Sequence, residues 1–287
     1  MIAPFGSWKS PVTTDLIVAE SISLGQVALD GDDVYWIEGR PREAGRSVVL
    51  KNGVDVTQPG MSARSRVHEY GGGAFLVADG SVFFVNDQDQ QIYRDGMQIT
   101  NETGLRFADM IWDRYSLIAV CENHRGAEPV NSLVSITDGV VETLVSGNDF
   151  YSSPRLSLDG KHLAYLTWNH PNMPWDGTEL WAGSRRIAGG DGESIMQPEW
   201  SPDGVLHFIS DRTGWWNLYR YRDGKIEHLF DMQAEFGAPQ WVFGMSTYAF
   251  EAPDRIMCAY NERNQWRLGR LQNRSLEMID TPYTDIS

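Results

Sequence analysis

The chain has 287 residues, and 24 Lys and Arg against 39 Asp and Glu leave a formal net charge of −15. That acidic balance excludes nucleic acid and anionic membrane as partners, because both are held by basic groups that displace counterions. A hydrophobic share of 41% with a charged share of 22% excludes a disordered chain, and no run reaches the ~18 apolar residues of a membrane span.

The first twenty residues hold no basic stretch followed by an apolar core, so no secretory leader is read and a cytoplasmic location is expected. Ser10-Pro11 before VTTDLIVAE predicts one short helix, with Ser10 as N-cap and Pro11 at the first helical position. Residues 1–23 are therefore an N-terminal segment.

From residue 24 onward the chain repeats itself. Ser153-Pro154-Arg155-Leu156-Ser157-Leu158-Asp159-Gly160 is followed by KHLAYLTW, and Gln197-Pro198-Glu199-Trp200-Ser201-Pro202-Asp203-Gly204 by VLHFISD. Asp and Gly supply the turn, while β-branched and aromatic residues on either side supply the arms of a hairpin. A second hairpin completes each unit (ELWAGS with RRIAGG, NLYRYR with KIEHLF), giving a four-stranded meander. The turn aspartates Asp30, Asp79, Asp113, Asp159, Asp203 and Asp254 recur every 34 to 51 residues, the period of β-propeller blades. The expected fold is all-β, with blades at about 24–60, 66–101, 105–147, 150–191, 194–231 and 236–280. Residues 281–287 read as the start of a further blade, so either six blades close the ring or, the preferred reading, the chain is the front part of a longer protein. The inner strands read as mostly apolar. Cys121 and Cys258 sit in separate strand-like runs and read as free buried thiols.

Four phrases carry a resemblance: Arg66-Val67-His68-Glu69-Tyr70-Gly71-Gly72-Gly73, His170 through Trp181, Ser210 through Tyr219, and Glu235 through Gly244. They resemble the N-terminal propeller of bacterial serine peptidases of the prolyl oligopeptidase family, in the acylaminoacyl-peptidase or dipeptidyl-aminopeptidase-like branch. The resemblance implies a seven-bladed propeller that restricts access to a C-terminal α/β-hydrolase domain of the same polypeptide, with short peptides as substrate. The nucleophile elbow Gly-x-Ser-x-Gly occurs nowhere; Gly60-Met61-Ser62 and Gly244-Met245-Ser246 lack the closing glycine. No triad residue can be assigned, and the chain alone is expected to be inactive. No cofactor and no metal is expected.

Candidate contacts to substrate or to the second domain lie in loops between second and third strands, which all emerge on one face. His170, Trp175, Asp176 and Glu179 sit in one such loop, where an acid could pair with a peptide ammonium; equally, Asp176 could cap a turn. Trp215 and Trp216 occupy the next. Arg66, His68 and Glu69 precede three glycines that would let an inner strand approach the crowded axis. The expected function is a non-catalytic gating and substrate-access domain of a serine peptidase. The alternative is a stand-alone protein-binding module like the bacterial Tol propeller.

Overall fold

In the computed structural model, residues 4, 6–18, 21–283 and 286 are described. Twenty-four strands form six four-stranded antiparallel sheets, each a meander in sequence order. The sheets span residues 23–55, 75–98, 105–145, 150–189, 195–228 and 248–279, here blades 1 to 6 of a six-bladed β-propeller. The first strand of each blade lies innermost: Ser23–Asp30, Phe75–Ala78, Leu105–Trp112, Phe150–Leu156, Ile195–Trp200 and Tyr248–Ala252. The expected start of a further blade falls partly on Thr284, Asp285 and Ser287, outside the described residues.

The repeated turns have the anticipated chemistry. The Ser157 hydroxyl donates to Asp159 Oδ1 at 2.6 Å, and the Ser201 hydroxyl to Asp203 Oδ1 at 2.5 Å. The Gly160 and Gly204 amides close both turns onto the serine carbonyls at 2.8 Å. The Ser157 bond, with the Lys161 amide, holds the Asp159 carboxyl down at about 2.

Hydrophobic clusters fill five successive spaces between neighbouring blades. Phe83 and Phe107 share the core between blades 2 and 3, and Leu180 and Phe208 that between blades 4 and 5. Cys121 and Cys258 are free and buried in two of these cores, where burial pushes both thiols up to about 12. Among the described residues no such cluster joins blade 6 to blade 1. The face of blade 1 turned away from blade 2 instead shows Leu24, Val27 and Leu29, each about 70% exposed (74%, 69% and 70%).

Polar residues enter the inner strands at bulges, where Gln26, Asp109, Ser153 and Gln197 have positive φ. Three of these side chains reach the backbone of the next blade. Gln26 Nε2 donates to Phe75 O, Asp109 Oδ2 accepts from the Ser153 amide, and Gln197 Oε1 accepts from the Thr247 amide. Arg155 joins Asp109 to Glu199, linking inner strands of blades 3, 4 and 5 at 3.3 and 2.7 Å. The bulge turns these polar side chains along the ring, which simple alternation along a strand conceals. One expectation needs correction: the helix starts later than expected. It spans Thr14–Val18, because the Thr13 hydroxyl caps it by accepting from the Leu16 amide, while Ser10 accepts from Val12 in a tighter turn. Ala19 and Glu20, which the expected helix included, are outside the described residues.

Candidate functional site

Strand alternation brings the blade-to-blade links and the loops between second and third strands out on one face. Two links are much longer than the rest, residues 56–74 and 229–247. They meet across the end of the ring: the Phe243 amide donates to Gly71 O at 2.8 Å, and Gly72 pairs with Phe243 in a parallel bridge. The glycines are required there. A Cβ on Gly72 would run into the Phe243 carbonyl, and one on Gly73 would stand 2.9 Å from Asp109 Cα.

Beside this junction lies a pocket of about 320 Å³. Its walls are aromatic. Phe150 stacks on Trp168 with centroids 5.4 Å apart. Trp175 packs against Trp241 at 4.5 Å, and Tyr70 meets Trp241 edge-on at 5.6 Å. His68 lies against three rings, those of Phe150, Trp168 and Phe243, at 5.0 to 5.6 Å.

A strained turn places His68. Both His68 and Glu69 have positive φ, at 53° and 64°, and the turn closes through Glu69 N to Arg66 O and Gly71 N to Val67 O. The His68 amide donates to Glu122 Oε1 at 3.1 Å. Its Nε2 is buried without a hydrogen-bond partner. Burial pushes the imidazole down to about 4, against the opposing pull of Glu122 and Asn131, so it is neutral at pH 7. Glu122 is itself buried and takes bonds from His124 at 2.6 Å and Arg106 at 3.4 Å. Arg106 also reaches Glu69 at 3.0 Å on the pocket rim.

The candidate residues separate into groups. His68, Glu69 and Trp175 line the pocket. His170 lies in a neighbouring cleft with Glu128 and Asp149, its amide donating to Asp149 Oδ2. Asp176 caps its own turn by accepting from the Met173 amide at 2.9 Å, and Glu179 pairs with Arg186 at 2.6 Å. Arg66 pairs with Asp87. Trp216 is wedged against Gly237 beside the core of blades 5 and 6, while Trp215 stays 39% exposed. Tyr70, Phe150, Trp241 and Phe243 were not singled out by sequence reasoning. The signal available for Tyr70, Trp241 and Phe243 was the length of the two links, which no turn explains; Phe150, the first residue of an inner strand, left none. Among the described residues there is no cluster of metal-ligating side chains, and no helix is long and apolar enough to cross a membrane.

No protein-family model matches the chain, and no curated protein does. Solved structures do. A puromycin-hydrolyzing peptidase from Mycobacterium tuberculosis superposes with a TM-score of 0.88 at 34% identity, over 98% of this chain and 50% of that one. A crystal structure of puromycin hydrolase matches at 31% identity and a TM-score of 0.87, over 99% and 50%. A prolyl endopeptidase shares the fold at 10% identity and a TM-score of 0.63, over 92% and 43%. The fold and these matches define a peptidase-type propeller. The chain belongs to the propeller part of the prolyl oligopeptidase family. It spans about half the length of the peptidases it matches.

Proposed function

We propose that this chain is the substrate-access domain of a serine peptidase acting on short peptides, with catalysis supplied by an α/β-hydrolase domain outside this sequence. The observation that carries the reading is the match, along nearly the whole chain, to half of each of two puromycin hydrolases. The loop-rich face is the docking side. It gathers exposed aromatics, Tyr70 at 62% and Trp241 at 52%, and exposed apolar surface of this kind marks contact with another domain or ligand. Peptides reach the active site past this face, and its narrow axial end selects by size. The location is cytoplasmic, a reading supported by two unpaired thiols, which a reducing compartment maintains.

The same reading includes a seventh blade, contributed by chain outside this sequence and seated on the bare face of blade 1. Five filled spaces among six blades, with Leu24, Val27 and Leu29 uncovered, support it, since a ring is stable when its edges are covered.

The test is reconstitution. The chain alone should not hydrolyse aminoacyl or acylaminoacyl chromogenic amides; joined to an α/β-hydrolase partner from a puromycin-hydrolyzing peptidase, it should restore turnover on short substrates and exclude long ones. Turnover by the chain alone, or equal cleavage of long and short peptides by the joined protein, would sink the proposal.

A further inference from the structure

The pocket at the axial end is built differently from the rest of the interior. Between blades, aromatic and aliphatic side chains fill the space and leave no room. Here rings from three separate parts of the chain surround about 320 Å³ that no side chain of the fold occupies. Apolar walls open to solvent forgo the burial a guest would give them, so such a pocket gains from an apolar guest.

The walls are fixed before any guest arrives. The Tyr70 side is anchored by the bond from Phe243 N to Gly71 O. The Trp175 side is held by the turn that Asp176 caps. The Trp241 side is tied down by its neighbour Gln240, whose Nε2 donates to Ile195 O at 2.9 Å. A preformed site binds without first paying for its own ordering.

The chemistry of the lining selects the guest. The Trp175–Trp241 and Phe150–Trp168 pairs offer ring faces and edges to a planar apolar group. His68 is neutral and its Nε2 makes no hydrogen bond, while the nearby carboxylates Glu69 and Glu122 are engaged with Arg106. A charged side chain would therefore lose its hydration without gaining a free counter-ion inside. The volume lies at the low end of ligand pockets, roughly 300–1,000 Å³, which suits one side chain rather than a whole peptide.

We infer that this pocket is a specificity subsite for a single aromatic side chain of the peptide or aminoacyl amide that the docking face admits. The nature of the guest as a peptide rests on the proposed function above; its aromatic character rests on the pocket alone.

Ligand-observed saturation-transfer NMR on the 287-residue chain tests it with L-phenylalaninamide and L-alaninamide as probes. L-Phenylalaninamide should bind with a Kd on the order of a millimolar, the range open to about a dozen heavy atoms, and L-alaninamide at least tenfold more weakly. Trp241→Ala, at a position 52% exposed, should weaken the aromatic probe about tenfold. Trp215→Ala, on the same face outside the pocket, should leave it unchanged. Equal affinity for the two amides, no saturable binding of either, or full binding to the Trp241 variant overturns the inference. None of these readouts involves turnover, so the inference can fail while reconstitution succeeds, and the reverse.

Discussion

Gln197 and Tyr248 clasp each other across the inner boundary of blades 5 and 6. Gln197 Nε2 donates to Tyr248 O at 2.7 Å, and the Tyr248 hydroxyl returns a bond to Gln197 O at 2.9 Å. Gln197 Oε1 also accepts from the Thr247 amide at 2.7 Å. Both residues are buried, so removing the carboxamide leaves backbone groups without water to replace it.

Gln197→Ala should therefore destabilise the chain by about 2–3 kcal/mol, from several lost bonds and the desolvated partners they leave. Gln26 occupies the corresponding place in blade 1 but makes one such bond, to Phe75 O, and its Oε1 has no partner. Gln26→Ala should cost only about 1 kcal/mol. Urea unfolding of the two variants side by side checks the ranking, and equal losses would contradict it.

Arg155 carries a comparable duty with charge. It bridges buried Asp109 and part-buried Glu199. Arg155→Met strands the Asp109 carboxylate in the ring wall, and the loss should be about 3 kcal/mol. Adding Asp109→Asn removes the stranded charge and should recover part of that loss. A double variant no better than the single one would show that the cost arises from lost packing of the Arg155 stem.

How much of this was legible beforehand follows from the kind of signal each feature leaves. Ser157-Leu158-Asp159-Gly160 and Ser201-Pro202-Asp203-Gly204 are local, and local turn chemistry shows in a single chain. Blade number followed from their recurrence. Asp109, Ser153 and Gln197 were opaque because a bulge shifts the side-chain alternation by one residue, and a pattern read by twos passes over it. The pocket was half visible. His68, Glu69, Trp175 and Trp241 stood in phrases with a resemblance, though Trp241 was not marked as a site residue, and Phe150 and Trp168 lay in strands outside those phrases. Only the meeting of two links more than 160 residues apart, at Gly71 and Phe243, makes them one site.

Acid should loosen the fold in a defined window. His68 and His207 are both pushed down to about 4 from 6.5, chiefly by burial. Glu122 and Asn131 oppose the shift at His68. At His207 the Val205 carbonyl and Asp203 oppose it, while Arg220 and Arg222 add to it. Between those values the unfolded chain takes up protons that the native one refuses. Stability is then complete above about pH 6.5 and falls as pH drops toward 4, by on the order of 3 kcal/mol for each histidine. Asp159, whose carboxyl lies at about 2, acts only below its ordinary value of 3.8, so this limb belongs to the histidines. His207→Gln should flatten the fall in urea midpoint between pH 7 and pH 5, and a slope as steep as that of the parent chain would refute the assignment.

The bare face of blade 1 separates two outcomes for the same substitutions. Leu24 and Leu29 are 74% and 70% exposed, so replacing both by Lys in this chain should change its stability by less than about 0.5 kcal/mol. It should also reduce self-association, since it removes an apolar patch beside the free edge of the ring. In a polypeptide extended by a seventh blade both leucines become interior, and the double substitution should then cost about 3–6 kcal/mol, the worth of burying two such side chains. Thermal unfolding of both lengths with and without Leu24→Lys and Leu29→Lys makes the comparison. A large loss in the 287-residue chain would mean that this face is already covered; a negligible loss in the extended protein would mean that no blade sits there.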